Sequence, residues 1–392
     1  MNKNILKTGP QEFIEKNWNT DSLSVLLQKP FFSGVSQKEL VMQLEAKKKC
    51  RTKLPTWFKT NAIYYPPKLH IEQSSSEQTA AYKAELVHGK TLLDMTGGFG
   101  VDSFYFAKKV PKVFHCELNP ELSAIACHNF EVLGAGNIRC HVEDGITFLQ
   151  NSKEGFDWIY LDPSRRDTTQ RVFLLKDCEP NILSHLKTIF SKANRILIKT
   201  APLLDIKQGL RELGCVKEVH IVAVQNEVKE LLWVLENGHT DEAELKTINL
   251  TKKTDQRFNF HFSKEEAAIS KIVLPQDYLY EPNAAILKSG AFKLLGRRFD
   301  LGKLHEHSHL YTSHELIDFP GRRFSIENVV PYSKTGLLQL GLTKANITTR
   351  NFPQSVSSLR KRTKLKEGGD DYLFFTTNLN EERIVLHCKR KP

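Results

Sequence analysis

Residues 91–103 read Thr91-Leu-Leu-Asp94-Met-Thr96-Gly97-Gly98-Phe-Gly100-Val-Asp-Ser103. A short apolar run passes into a glycine-rich turn, and helical spacing begins just beyond it. Strand, Gly-rich turn and helix in that order form the corner where doubly wound sheets bind ligands. Glycines there admit positive φ and let the backbone approach a ligand. The following helix start presents unpaired N–H groups and a positive dipole end.

Working outward, apolar runs recur at Lys112–Cys116, Ile138–Val142, Trp158–Leu161, Arg195–Lys199, Glu218–Val224 and Glu230–Leu235. Helix-length segments lie between them at Ser103–Lys109, Pro120–Leu133, Phe173–Phe190 and Leu204–Leu213. Such alternation predicts a parallel sheet covered on both faces. Only residues 225–229 separate the last two runs, too few for a crossover, so that pair is expected as an antiparallel hairpin. The fold class expected is α/β: a Rossmann-like seven-stranded sheet ending in an antiparallel hairpin. Upstream, residues 1–72 have helical spacing, with a capping box at Ser36-Gln-Lys-Glu39 opening a helix through Lys49. Downstream, 240–275 is polar with strand-like patches at Lys246–Leu250 and Phe258–Phe262, and 281–297 reads as one helix. From Arg322 the pattern is strand, helix (334–340), strand, helix (353–361), then strands Tyr372–Thr377 and Arg383–Lys389, a small α+β unit. The expected divisions are 1–72, 73–238, 239–320 and 321–392.

The turn suits two cofactors unequally. Gly98-Phe-Gly100-Val-Asp-Ser103 has two of the three glycines of a dinucleotide fingerprint. S-adenosylmethionine (SAM) has no pyrophosphate, so the third is not needed, and an acid before the turn, Asp94, is typical of its sites. Further acids follow in step. Glu117, with Leu118 after it, ends the second run and is placed for ribose hydroxyls; Asp144, with Gly145, follows the third and could meet an adenine amino group; Asp162 ends the fourth. One acid at a strand end is commonly a cap. Four at successive strand ends line one crevice.

The chain resembles the class I SAM-dependent methyltransferases, and more closely bacterial members with a C-terminal THUMP-like domain. The residues carrying the resemblance are Gln73-Ser-Ser-Ser-Glu-Gln-Thr-Ala80 with Tyr82-Lys83, the loop Asp94–Asp102, Asp162-Pro-Ser-Arg-Arg166, Tyr280-Glu-Pro-Asn-Ala284, and Arg350-Asn-Phe-Pro353 with Leu365-Lys-Glu-Gly-Gly369. The resemblance implies a helical N-terminus, a methyltransferase core, a small ferredoxin-like insert over 239–320 and a basic α+β tail. It assigns cofactor contacts to Asp94, Thr96, Gly97, Gly98, Gly100, Glu117, Leu118, Asp144, Gly145 and Asp162, and folds Gln73–Thr79 over the methionine end of SAM. An N-cap is the other reading of Ser74-Ser75-Ser76.

Methyl transfer is an in-line displacement that needs alignment of the acceptor and exclusion of water. Methyltransferases acting on base amino groups place (Asp/Asn)-Pro-Pro-aromatic after the fourth strand. Here Asp162 and Pro163 are kept, Ser164 replaces the second proline, and Arg165 replaces the aromatic. A guanidinium can stack on a base or pair with phosphate; salt bridges from Arg165 and Arg166 to Asp167 or Asp177 are the plain alternative. Asp162, Pro163, Ser164 and Arg165 are the candidate catalytic set. Cys178 falls in the expected helix 173–190, which argues against it as a nucleophile for carbon methylation. The expected activity is methylation of a base nitrogen in structured RNA (tRNA or rRNA). The alternatives are an RNA-binding assembly factor that has lost catalysis, or methylation of a protein or small molecule.

Charge points the same way. Of 392 residues, 56 are Lys or Arg and 45 Asp or Glu, a net +11. Residues 281–392 carry +8 of this and residues 1–280 only +3. Arg360, Lys361, Arg362, Lys364 and Lys366 crowd one helix end and its loop. They suit the helix dipole and equally a phosphate-contacting patch; the resemblance favours RNA as partner. His305, His307 and His309 alternate, but a polar context without nearby Cys gives no structural metal. Seven cysteines without a C-x-x-C pair are expected to be reduced thiols. Met1–Phe13 lacks a signal-peptide core and no run reaches membrane-span length, so a cytoplasmic location without membrane contact is expected.

Overall fold

The apolar runs become the strands of a computed structural model that describes residues 1–165 and 175–392. Arg166 and Asp167, and the side chains of Arg165 and Asp177, lie outside the described residues. The chain divides into two units: Met1–Lys217 with Leu231–Asp241, and Glu218–Glu230 with Glu242–Pro392.

The first unit holds β1 (Thr91–Asp94), β2 (Lys112–Cys116), β3 (Ile138–His141), β4 (Phe156–Leu161) and β5 (Ala193–Thr200). β1 pairs in parallel with β2 and β4, β2 with β3, and β4 with β5. The far arm of the hairpin, Leu231–Glu236, pairs antiparallel with β5. β1, β2 and β4 are buried almost throughout, as sheets covered on both faces require. The N-terminal residues are helical, and the Ser36–Glu39 capping box opens a helix that reaches Lys53 rather than Lys49. These helices share one core with the sheet's covering helices, and Trp57 packs at 6.1 Å from Phe99 of the glycine turn and 5.0 Å from Phe104. The turn is therefore braced from behind by the N-terminal region. Cys127 and Cys140 form a disulfide between the helix Pro120–Val132 and β3, which corrects the expectation of seven reduced thiols. The two sulfurs sit on elements packed against each other, a proximity that chain spacing does not reveal.

The hairpin arms are β6 (Val216–Val224) and β7 (Glu227–Glu236). Only Gln225 and Asn226 join them, at φ of 50° and 67°, the pattern of a type I′ turn. In the second unit, β6 pairs in parallel with β8 (Glu244–Leu250), which pairs antiparallel with β9 (Gln256–Phe260). These two strands, from the polar stretch 240–275, are additions to the seven expected; β8 is buried on both faces through Leu245, Thr247, Ile248 and Asn249, and β9 buries one face through Phe258 and Phe260.

A second sheet contains β10 (Tyr278–Pro282), β11 (Gly302–Lys303), β12 (Tyr311–Ser313), β13 (Gly321–Pro331), β14 (Asn346–Arg350), β15 (Asp371–Thr377) and β16 (Arg383–Lys391), in the order β11-β12-β10-β13-β16-β15-β14. The helix expected over 281–297 is corrected. β10 buries Leu279–Pro282, Asn283 then caps a short helix Ala284–Ser289, and Gly290 at φ 80° ends it before a second, Lys293–Arg298. Glu281, 2% exposed, accepts from Arg322 Nε at 2.6 Å and Arg350 Nη2 at 2.8 Å. Arg350 ends β14, so its side chain ties the last strand of the sheet to the acid of β10.

Candidate active site

A cavity of about 1090 Å³ opens at the carboxyl ends of β1, β2 and β4. Gly98 and Gly100 have φ of 57° and 87°. A Cβ on Gly97 would lie 2.2 Å from the His115 ring and one on Gly100 2.3 Å from Phe130, so both glycines are required for close packing. A Cβ on Gly98 would meet nothing closer than 3.9 Å, because that position faces open space. Gly145 lies against Met95, where a Cβ would meet the Met95 carbonyl at 2.4 Å.

The acids predicted to line one crevice do so: Asp94, Glu117, Asp144 and Asp162 all border the cavity, with Thr96, Leu118 and Gly145. Asp94 is 1% exposed and accepts from Ser103 Oγ at 2.6 Å and Thr96 N at 3.1 Å. Burial pushes its carboxyl up to about 7 against those two donors. Ser103 Oγ also lies 3.0 Å from His115 Nδ1. With Asp94 ionised, the serine donates to it and His115 donates from Nδ1. Burial pushes His115 down to about 3, so it is neutral there. Glu117 accepts from Gly98 N at 2.9 Å and Asn119 N at 2.7 Å, tying the glycine turn to the end of β2. Asp144 caps the helix Gly145–Asn151 through Thr147 N at 2.9 Å, so the cap role holds one of its oxygens.

Beside the turn is a network that sequence reasoning did not assemble. Lys83 is fully buried and lies 3.2 Å from Asp102 Oδ1 and 2.9 Å from Ser75 Oγ. Ser75 Oγ and Tyr160 OH each donate to Asp102 Oδ2 at 2.8 Å. Burial raises the Asp102 carboxyl, but the Lys83 and Lys199 cations and these hydroxyls outweigh it and hold it below the ordinary range. Within the serine segment, Ser75 joins this network, while Ser76 caps the next helix through Thr79 N at 3.2 Å, the N-cap reading.

At the fourth strand, Thr96 Oγ1 accepts from Asp162 N at 2.7 Å, and Lys199 from the end of β5 pairs with the Asp162 carboxylate. Lys199 was not anticipated as a site residue. Pro163, Ser164, Asn181, Ser184 and His185 also line the cavity. Ser164 and Arg165 form a two-residue ladder with Cys178 and Glu179. Cys178 is therefore buried in a two-residue strand, not in the expected helix; the α-helix described there begins at Ile182.

In the second unit, helix Val356–Thr363 ends at Lys364 in left-handed conformation. Lys361, Arg362, Lys364 and Lys366 are exposed. Arg360 is half-buried, donating to the Ala345 and Leu365 carbonyls at 3.3 and 3.4 Å, so it braces the loop. Arg362 donates to Tyr332 OH at 3.0 Å. His305 bonds Glu381 and Asn351 and accepts from His307 N at 3.0 Å, while His309 stacks on Phe292 at 3.6 Å.

The ferredoxin-like domain family matches residues 278–320, and the THUMP domain-like family residues 321–390. A candidate methyltransferase from Porphyromonas gingivalis W83, solved by crystallography, is 32% identical over 97% of each chain, with a TM-score of 0.88. An rRNA methylase from Streptococcus thermophilus is 15% identical over 41% of this chain and 93% of its own, with a TM-score of 0.30. A Streptococcus mutans candidate methyltransferase solved with S-adenosylhomocysteine is 15% identical over 41% and 96%, also at 0.30. No curated protein sequence matches the chain.

Proposed function

The chain belongs to the class I SAM-dependent methyltransferase family with a C-terminal THUMP-like domain, and from that premise we propose that it methylates a base nitrogen in structured RNA, tRNA or rRNA. SAM fits the residues present: the space that a Cβ on Gly98 would enter is open, and acids surround it. Asp94, Glu117 and Asp144 would hold the cofactor, which supplies an electrophilic methyl group. The protein's share is orientation and exclusion of water. Thr96 fixes the Asp162 backbone and Lys199 holds its carboxylate, leaving that acid positioned at the cavity to accept a hydrogen bond from a base amino group. This fixed Asp162 is the observation that carries the reading. A basic, exposed helix end at Lys361–Lys366 supports RNA as the partner.

A second reading, an RNA-binding assembly factor without catalysis, draws on the same spot, because Ser164 and Arg165 replace the expected Pro-aromatic pair and Lys199 competes for Asp162. Incubating the full chain with tritiated SAM and total RNA from a strain lacking its gene separates them. Label in RNA, reduced at least a hundredfold by Asp162→Ala, is expected. RNA binding without label supports the second reading, and label in protein or small molecules removes RNA as substrate.

A further inference from the structure

The charge count over residues 1–280 is nearly balanced, but the balance is not local. Residues 44–68 contain seven Lys or Arg against one acid, Glu45. Lys47 is spent inside the core, on Glu15 and the Phe58 carbonyl. Lys48, Lys49, Arg51 and Lys68 are exposed and Lys53 is half-buried. Lys48 and Lys68 make no ion pair among the described residues. We propose that this basic end of the helix Gln37–Lys53, with Lys68, is a track for the phosphate backbone of a single-stranded RNA segment leading to the mouth of the cavity. The inference deepens the RNA reading above and rests on it.

Two features join the patch to the cavity. Lys53 donates to the Glu72 carbonyl at 2.6 Å and Lys49 pairs with the Glu72 carboxylate at 3.1 Å, next to His70 and Gln73, which line the cavity. Burial first, and then the Lys199 cation, push Lys53 down to about 8, so Lys53 lies within electrostatic reach of the lysine that holds Asp162. The patch also carries an aromatic partner: the Arg51 guanidinium sits 5.1 Å from the Trp18 ring, which is partly exposed. Cations interleaved with aromatic surface suit single-stranded nucleic acid, whose bases stack while its phosphates pair. An acidic peptide would need the charge alone.

The test uses the full chain and a fluorescein-labelled single-stranded oligouridylate, with binding followed by anisotropy from about 50 to 200 mM salt. The triple variant Lys48→Gln/Arg51→Gln/Lys68→Gln removes charge from residues outside the cavity lining. It should melt as the wild type does, bind about tenfold more weakly at the low-salt end and lose about 2 from the slope of log K against log salt. An unchanged slope, no binding by the wild type, or equally strong competition by poly-glutamate would overturn the track. Methyl transfer is not read in this assay, so loss of the catalytic reading and loss of the track are separate results.

Discussion

Asp94 is the residue at which folding and the proposed cofactor binding would be coupled. Its carboxyl sits at about 7 because burial favours the neutral form. A folded value above the unfolded one means the folded state holds the extra proton. The stability this contributes is complete below the unfolded value and is lost as pH rises through about 7. A cationic cofactor has the opposite preference, since its charge favours the carboxylate. Two outcomes are therefore expected of Asp94→Asn. In urea titrations the variant should lack the wild type's decline in stability between about pH 4 and 7. In calorimetry, wild-type SAM binding should tighten from pH 6 to 8, whereas the variant should bind at least tenfold more weakly with little pH dependence. A variant with wild-type affinity would remove Asp94 from the cofactor contacts.

At the scale of elements, the strands were legible where burial made them continuous apolar runs, as in β1, β2 and β4. The acids were legible because strand ends in such sheets fall on one edge. Lys199 was not, because a lysine closing an apolar strand has the pattern of any solvated strand end; only the pairing of β4 with β5 brings it to Asp162. Lys83 and Asp102 meet through packing of their helices, which spacing along the chain does not encode. The misread helix over 281–297 has a similar cause. Tyr278–Pro282 is short, and its strand state depends on β13, forty residues later. There Glu281 holds Arg322 and Arg350 together. Removing the charge from a buried acid leaves two guanidiniums unpaired, at a typical cost of 3–5 kcal/mol for fully buried pairs. Both arginines are about one-third exposed, and water screens them. Glu281→Gln should therefore lower unfolding free energy by about 2 kcal/mol in denaturant titration. A change below a few tenths would mean that this triad adds little to the stability of the sheet.

Across the whole molecule, the +11 charge is divided by role. Much of it lies in residues 281–392, and there it is partly consumed by architecture: Arg322 and Arg350 on Glu281, Arg360 on loop carbonyls, and Lys389 on Asp371 at 2.8 Å. The exposed charges are fewer than composition implies: Lys293, Arg297, Lys334, Lys344, Arg383 and Arg390 are spread along the chain, and Lys361, Arg362, Lys364 and Lys366 follow one another at a single helix end. That distinction gives a quantitative expectation. Converting these four residues to Gln in the full chain should reduce the salt slope for binding of structured tRNA by about 3, uniformly across tRNA sequences. Adding Arg360→Gln should change the slope little but lower the melting temperature, because that side chain supports the loop. If Arg360→Gln alone flattened the salt dependence while the four-residue variant left it intact, the assignment of architectural and binding charges would be reversed.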